Sequence, residues 1–289
     1  MEGSRTNVLN KVFSRNTFSD ILNSKESNNY IAAINKSIDF SVDKKNIDLI
    51  RELYNKIKNS YRNEYFYKNT LLNKLLLGVH STNTTTALSE ISIAKSKADL
   101  ILINGKAIIY EIKTELDNLD RLEQQIHDYY TVFDHVTVVT WDCESNLSAL
   151  KKILDRLEYP VGVHVLRRSG CIGKIRNPEP YIASLDFENM FKLLRKSEYE
   201  KLVLKFYKEL PQVSQFKYYK ECKQMLSLVD IALFYTEYLL VLKSRIKVKK
   251  DLFKMIPYEL KYLAYFMNLQ NEDYAKLNEF LNKPYGGVF

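Results

Sequence analysis

The stretch ADLILINGKAIIYEIK, which spans residues 98–113, decides the fold that this sequence predicts. Two short apolar runs flank the pair Asn104–Gly105, and an Asn-Gly pair in this setting is the strongest short-range signal for a β-hairpin. Asp99 lies at the start of the first run, and Glu111 and Lys113 lie at the end of the second. A hairpin of this kind can bring Asp99 alongside Glu111 and Lys113.

Apolar runs of strand length continue on both sides of the hairpin. The predicted strands cover residues 87–94, 98–103, 107–113, 136–140 and 161–166, and a turn at residues 169–170 leads into residues 172–176. Helical spacing over residues 117–133 and 147–157 places a helix between successive strands, which implies parallel pairing there, whereas the hairpin is antiparallel. Because the strands are apolar on both faces, the sequence predicts an α/β fold with a mixed central β-sheet flanked by helices.

The rest of the chain has helical patterns. Residues 47–57 and 61–77 show helical spacing, and the second of these helices is expected to end at Gly78. Residues 1–45 are polar and predict loops with short helices, and the chain after residue 177 is almost entirely helix-patterned. The sequence therefore predicts an N-terminal helical segment over residues 1–60, a core over residues 61–176 and an all-helical C-terminal domain over residues 177–289.

Composition indicates a globular protein of a reducing compartment. The 289 residues carry a formal net charge of +8, which is consistent with a polyanionic partner such as nucleic acid. Cys143, Cys171 and Cys222 form no CxxC pair, which argues against a disulfide framework or an all-cysteine zinc site. Residues 1–10 lack the apolar core of a secretory signal, and no apolar stretch could span a bilayer. We therefore expect a cytoplasmic protein with no membrane partner.

The charged residues of the hairpin predict a metal site. Glu111 and Lys113 are two residues apart on one strand, so their side chains point to the same face of the sheet. Charges on an apolar sheet are costly unless they are paired, and neighbouring carboxylates repel each other unless a proton or a metal ion intervenes. Carboxylate oxygens favour Mg²⁺ or Mn²⁺. A nearby lysine can orient an attacking water or stabilise charge on a phosphate, so the residues together predict phosphodiester hydrolysis.

The spacing of these residues resembles that of a known superfamily. Asp99, Glu111 and Lys113 match the D-x11-E-x-K pattern of the PD-(D/E)XK nucleases. On the helix that follows, Gln125 and Tyr129 form a QxxxY pair on one helix face, which resembles the branch that contains lambda exonuclease and RecB-type nuclease domains. The stretch from EYFYKN through YEIKTELDNLDRLEQQIHDY to VTVVTW, within residues 61–141, is also similar to a bacterial and prophage family of nuclease-like proteins.

This resemblance implies a restriction-endonuclease-like core, a Mg²⁺ or Mn²⁺ cofactor and a nucleic-acid partner, with DNA preferred. The implied metal ligands are Asp99, Glu111 and the carbonyl group of Ile112. Lys113 would assist the attacking water, and Gln125 and Tyr129 would position the nucleic acid or the catalytic groups.

Two departures from the superfamily pattern bear on the site. The proline that usually precedes the first acidic residue is replaced by Ala98. A further acidic residue is usual, and the candidates are Glu64 on a predicted helix and Glu90 on the first predicted strand. We favour Glu90 as the additional catalytic residue, because it lies in the same predicted sheet as Asp99.

Other interpretations remain open at this point. The simplest is an ordinary ion pair between Lys113 and Asp99 or Glu111 at a strand end. A second is a catalytically silent module that binds nucleic acid or a protein, in a prophage or defence context. The helical residues 181–289 could recognise substrate, a protein partner or another copy of the chain, and their many Tyr and Phe residues are more often core than base-stacking surfaces.

Overall fold

The computed structural model describes residues 8–25, 27–38, 44–60, 63–79, 84–115, 117–167, 169–246 and 248–286. The chain divides into two compact units, of which the first comprises Met1–Thr82 with Val248–Phe289 and the second comprises Asn83–Lys247. This division differs from the three predicted segments, since residues 61–82 join the first unit and residues 177–247 join the second. All predicted site residues except the alternative Glu64 lie in the second unit.

The first unit consists of helices. Its helices before the second unit are α1 (Arg15–Leu22), α2 (Asn28–Ser37), α3 (Asn46–Ser60) and α4 (Glu64–Leu71), which continues as a π-helix (Leu72–Val79). The Asn63 side chain caps α4 by accepting a hydrogen bond from the Phe66 N–H at 3.0 Å. The helix predicted over residues 61–77 is therefore confirmed in position, although Tyr61 lies outside the described residues and the π-helix extends one residue beyond Gly78.

The second unit alternates strands and helices before a helical end. Its elements are β1 (Thr86–Ile93), β2 (Ser96–Asn104), β3 (Lys106–Lys113), α5 (Leu122–Tyr130), β4 (His135–Trp141), α6 (Glu144–Leu154), β5 (Gly162–Leu166), β6 (Ile172–Arg176), α7 (Phe187–Lys192), α8 (Lys196–Tyr207), α9 (Gln215–Ser227) and α10 (Ile231–Lys243). The chain then returns to the first unit with α11 (Lys250–Lys254), a 3-10 turn (Tyr258–Leu260), α12 (Lys261–Phe266) and α13 (Asn271–Asn282).

The strands of the second unit form one mixed sheet in the order β1-β2-β3-β4-β5-β6. β1, β2 and β3 are antiparallel, β3, β4 and β5 are parallel, and β6 returns antiparallel to β5. The predicted Asn104–Gly105 turn joins β2 to β3, and Gly105 has a φ of +72°, which glycine adopts without steric cost. The predicted α/β class, the mixed sheet and the helical region after Arg176 are confirmed.

α5 packs its apolar stripe against the sheet. Leu122, Ile126 and Tyr129 are fully buried and share one core cluster with Ile101 of β2 and Ile109 of β3. The face of β3 that carries Ile109 also carries Glu111 and Lys113, because side chains two residues apart point the same way. The sheet therefore presents these charged residues to α5.

The prediction of a helix over residues 117–133 is wrong at both ends, because α5 spans Leu122–Tyr130. Before α5 the side chains of Asp117 and Asn118 accept backbone hydrogen bonds from Thr114 and Asp120, each at 2.6 Å. Such local bonds offer the backbone an alternative to helical pairing. α6 also begins three residues before the predicted helix at 147–157 and ends three residues earlier.

A buried ion pair links the last helices of the second unit. Arg245 donates two hydrogen bonds to the carboxylate of Glu198, each at 2.7 Å, and a third to the carbonyl of Leu193 at 2.6 Å. Burial opposes ionisation of Glu198, but the hydrogen bonds and charge of Arg245 outweigh it and hold the pKa of this carboxyl below its usual range.

Within the described ranges, no helix is long and apolar enough to cross a membrane.

Arg245→Met leaves the Glu198 carboxylate buried without its guanidinium partner. We expect the free energy of unfolding to fall by about 3–5 kcal/mol at neutral pH, measured by urea denaturation. Because the folded-state pKa of Glu198 is depressed, this contribution exists above the unfolded-state pKa and disappears as pH falls through the folded-state pKa. The double variant Glu198→Leu/Arg245→Met is expected to recover most of the loss, and an Arg245→Met protein as stable as wild type would contradict this role.

Candidate active site

β2 and β3 separate where the predicted site lies. Their antiparallel pairing ends at Leu100↔Tyr110, whereas β3 continues to Lys113 and stays paired with β4. Beyond this point the Ile112 N–H donates a hydrogen bond to Asp99 Oδ2 at 2.8 Å. The half-buried Asp99 carboxylate thus occupies the position of a strand partner. We call this separation of β2 from β3, with Asp99 between them, the strand fork.

Glu111 is the centre of a hydrogen-bond network beside the strand fork. The residue is only 2% exposed. Lys113 Nζ and Gln125 Nε2 donate to Glu111 Oε1 at 2.8 and 2.7 Å, and the Tyr129 hydroxyl donates to Oε2 at 2.6 Å. Lys113 Nζ also donates to Gln125 Oε1 at 2.8 Å, so the Gln125 amide is held through both of its ends. The structure therefore brings together Glu111 and Lys113 from β3 with Gln125 and Tyr129 from α5.

The pKa of the Tyr129 hydroxyl depends on its burial and on the two nearby negative charges. Burial raises the pKa of Tyr129 well above its usual value, and the negative charges of Glu111 and Asp99 raise it further. The phenol consequently stays protonated and acts as a donor. Asp99 lies next to Glu111 along β3, because it bonds to the N–H of Ile112, the residue that follows Glu111.

Comparison with known proteins gives one match. A sequence model of the family described as Bacteriophage P4 protein cII matches residues 57–261, well over half of the chain. The chain belongs to this family. No curated protein and no solved structure matches the sequence. The part of this P4 cII family member that matches contains every predicted site residue, from Glu64 to Tyr129.

Glu90, the favoured additional acidic residue, lies on β1 between Ser89 and Ile91, whose partners on β2 are Leu100 and Ala98. Its side chain is exposed and accepts a hydrogen bond from Lys97 Nζ at 2.8 Å. Its φ of +56° is in the left-handed region, which is uncommon for a residue with a side chain. Glu64, the alternative, lies on α4 of the first unit and pairs with Lys68 at 2.5 Å. Which of the two completes the site stays a prediction.

The chemistry of the donor set suits a hard divalent cation. Among the described residues, no group of three or more His, Cys, Asp or Glu side chains is arranged to hold a metal ion. A Mg²⁺ ion does not require such a group, because it usually keeps several waters and binds through one or two carboxylates. Asp99 and Glu111 supply two carboxylates and Ile112 supplies a carbonyl on the same strand as Glu111, which fits this mode of binding.

Sequence reasoning missed Asp128, which anchors the hairpin that joins β1 to β2. Asp128 is 4% exposed and accepts hydrogen bonds from the Lys95 N–H at 3.2 Å, the Ser96 hydroxyl at 2.6 Å and Gln124 Nε2 at 2.8 Å. These bonds hold the start of β2 against α5 in this P4 cII family member. The sequence carries no local signal for this role, because a charged residue beside the apolar stripe is ordinary in an amphipathic helix.

Tyr129→Phe removes one of the donors to the buried Glu111 carboxylate. We expect the free energy of unfolding to fall by about 2 kcal/mol, since a hydrogen bond to a charged group contributes on this order. Thermal and urea denaturation measure the loss. Tyr130→Phe is the matched control, because the hydroxyl of this neighbouring buried tyrosine donates to no side chain among the described residues. Equal stability of the two variants would contradict the network.

Proposed function

We propose that this protein is a metal-dependent nuclease of the PD-(D/E)XK type, with a restriction-endonuclease-like core, that hydrolyses phosphodiester bonds in DNA. The observation that carries the proposal is that Asp99 accepts a hydrogen bond from the Ile112 N–H at 2.8 Å, directly after the buried Glu111, whose carboxylate lies 2.8 Å from the Lys113 ammonium. Two carboxylates and a lysine at a strand fork are the groups that such hydrolysis needs. Membership of a phage protein family agrees with a phage-related or defence context.

Each residue of the site has a role that follows from its contacts. Asp99, Glu111 and the Ile112 carbonyl would hold Mg²⁺ or Mn²⁺, which when bound lowers the pKa of a coordinated water and polarises a phosphoryl oxygen. Lys113 is oriented by two acceptors and keeps a third N–H for the attacking water or the phosphate.

Gln125 and Tyr129 act through Glu111. The Gln125 amide donates to one carboxylate oxygen and the Tyr129 hydroxyl to the other, so together they fix the plane of the carboxylate. Preorganised groups of this kind avoid reorganisation during the reaction. We assign both residues the task of positioning the catalytic groups, with contact to the nucleic acid through the half-buried Gln125.

Exposed cations near the site suit a polyanionic substrate. Lys95 and Lys97 lie at the start of β2, where their backbones bond to Asp128 and Tyr129. Arg121 lies one helical turn before Gln125, whose N–H donates to the Arg121 carbonyl at 2.9 Å. The three side chains are exposed, although Lys97 is paired with Glu90 at 2.8 Å. With a net charge of +8 for the chain, they favour a phosphate backbone along this side of the second unit.

A second candidate function is a catalytically silent module that binds nucleic acid or a protein partner. The observation in its favour is that Glu111 is only 2% exposed and that its two carboxylate oxygens already accept hydrogen bonds from three side chains. In this alternative the network is structural, and Lys113 serves only to neutralise Glu111.

Cleavage assays on plasmid, linear duplex and single-stranded DNA with Mn²⁺ or Mg²⁺ separate the two candidates. We expect metal-dependent cleavage that stops with EDTA, and a loss of at least about 100-fold in Asp99→Asn and in Lys113→Met. The asparagine keeps an oxygen for the Ile112 N–H, so its loss of activity reports on charge. Lys106→Met at the exposed hairpin turn and Asp155→Asn at the exposed end of α6 are the controls. Cleavage by both site variants at the wild-type rate would refute the nuclease assignment.

Metal binding is measurable without substrate. A ligand that binds only the folded state at 100 times its Kd stabilises that state by about 2.7 kcal/mol. We expect saturating Mn²⁺ to raise the melting temperature of the wild type and to leave that of Asp99→Asn unchanged. A rise of equal size in both proteins would place the metal elsewhere.

A further inference from the structure

The second unit carries an aromatic surface that the proposed nuclease site does not use. Most aromatic residues of its C-terminal helices are buried or half-buried, but Phe216 is 96% exposed and Tyr219 is 48% exposed. They lie three residues apart on α9 and therefore share a helix face. The Tyr219 ring centroid lies 5.3 Å from that of Phe191 and 5.9 Å from that of Tyr199, so this ring is held in place from the inside. We call Phe216 and Tyr219 the aromatic pair.

A cavity of about 630 Å³ opens beside Tyr219 of the aromatic pair, whereas Phe216 lies outside its lining. Its apolar walls come from Leu210, Pro211 and Val213, in the segment that joins α8 to α9. Tyr219 also lines it, together with the polar residues Gln212 and Gln215 and the acidic Glu200. The volume lies in the range of small-molecule sites, which combine apolar walls with a few polar groups. A flat heteroaromatic ring matches both its walls and its amides.

Lysines alternate with these aromatic residues. Lys217 and Lys220 are exposed, and neither forms an ion pair within the described part of the chain. Lys196 Nζ lies 5.2 Å from the centre of the Tyr218 ring and 3.9 Å from Glu200. The Glu200 carboxylate also accepts a hydrogen bond from the Tyr218 hydroxyl at 2.9 Å, so its negative charge is engaged within the protein. The three lysines outnumber the half-buried Glu200 and Glu221, so the surface around the aromatic pair has a positive excess as well as apolar residues.

We propose that the aromatic pair and its cavity bind single-stranded nucleic acid, with a base stacked on Tyr219 or Phe216. The phosphates lie at Lys196, Lys217 and Lys220. Every base has a flat π-face, so stacking on an aromatic side chain combined with a basic groove binds single strands with little sequence preference. The choice of nucleic acid as partner rests on the proposed function, but the binding requires no hydrolysis. The substrate of this protein would then carry an unpaired strand.

The test measures the binding of a fluorescent oligo(dT) strand to the full chain by anisotropy, in EDTA and in the Asp99→Asn background, so that nothing is cleaved. Phe216→Ala and Tyr219→Ala are each expected to weaken binding roughly 10-fold. Lys217→Gln/Lys220→Gln is expected to reduce the salt slope by about 0.7 per phosphate contact that is lost. Leu228→Ala, at an apolar residue 79% exposed at the other end of α9, is the control and is expected to bind like its parent.

Three outcomes would overturn the proposal. The first is wild-type affinity in both aromatic variants, and the second is equal affinity of the parent protein for duplex and single strand. The third is absence of oligo(dT) binding. If the protein also forms a dimer in sedimentation velocity that Phe216→Ala dissociates, the aromatic pair is a contact between copies of the chain instead. Failure of the nuclease assignment is scored separately: binding that depends on the aromatic pair without metal-dependent cleavage sustains this proposal and rejects the other.

Discussion

A carboxylate that is almost fully buried on a β-strand is the constraint on which the site depends. Glu111 is 2% exposed, and an ion removed from water at this level costs several kcal/mol unless charges and hydrogen bonds compensate. Its partners come from two elements: Lys113 from β3, and Gln125 and Tyr129 from α5. The position of α5 on the sheet is therefore set by polar contacts as well as by its apolar stripe. The separation of β2 from β3 follows, because Asp99 takes over the Ile112 N–H at that point.

The burial of Glu111 also bears on the choice between a nuclease and a catalytically silent module. Three donors to Glu111 make a stable closed network, which suffices for a structural role. Asp99 adds a second carboxylate at the Ile112 N–H, one residue after Glu111, and neighbouring like charges repel each other. A divalent cation offsets this repulsion and leaves the bond of Asp99 to the Ile112 N–H in place. The repulsion between Asp99 and Glu111, which a cation would offset, is the physical reason for preferring a metal-dependent function.

Much of the second unit could be predicted from sequence, because its signals are local. The Asn104–Gly105 turn, the period-two spacing of Glu111 and Lys113 and the four-residue spacing of Gln125 and Tyr129 each fix a geometry without tertiary information.

The start of α5 was missed because Asp117 and Asn118 form side-chain bonds to nearby backbone that compete with the helix. The anchoring role of Asp128 depends on its contact with the β1–β2 hairpin, which no local pattern encodes. The grouping of residues 248–289 with residues 1–82 rests on contacts between distant parts of the chain and leaves no periodic trace. Phe216 also shows this limit, since its helical spacing is that of a core residue although its ring is exposed.

Anomalous scattering from crystals soaked in Mn²⁺ tests the central claim most directly, because it locates the metal independently of substrate and activity. We expect one strong anomalous peak at the strand fork, within coordination distance of Asp99 and Glu111 oxygens, and no such peak in Asp99→Asn crystals. A wild-type structure in which the fork binds no Mn²⁺, while Glu111 keeps its bonds to Lys113, Gln125 and Tyr129, would contradict it and leave the network as a structural element.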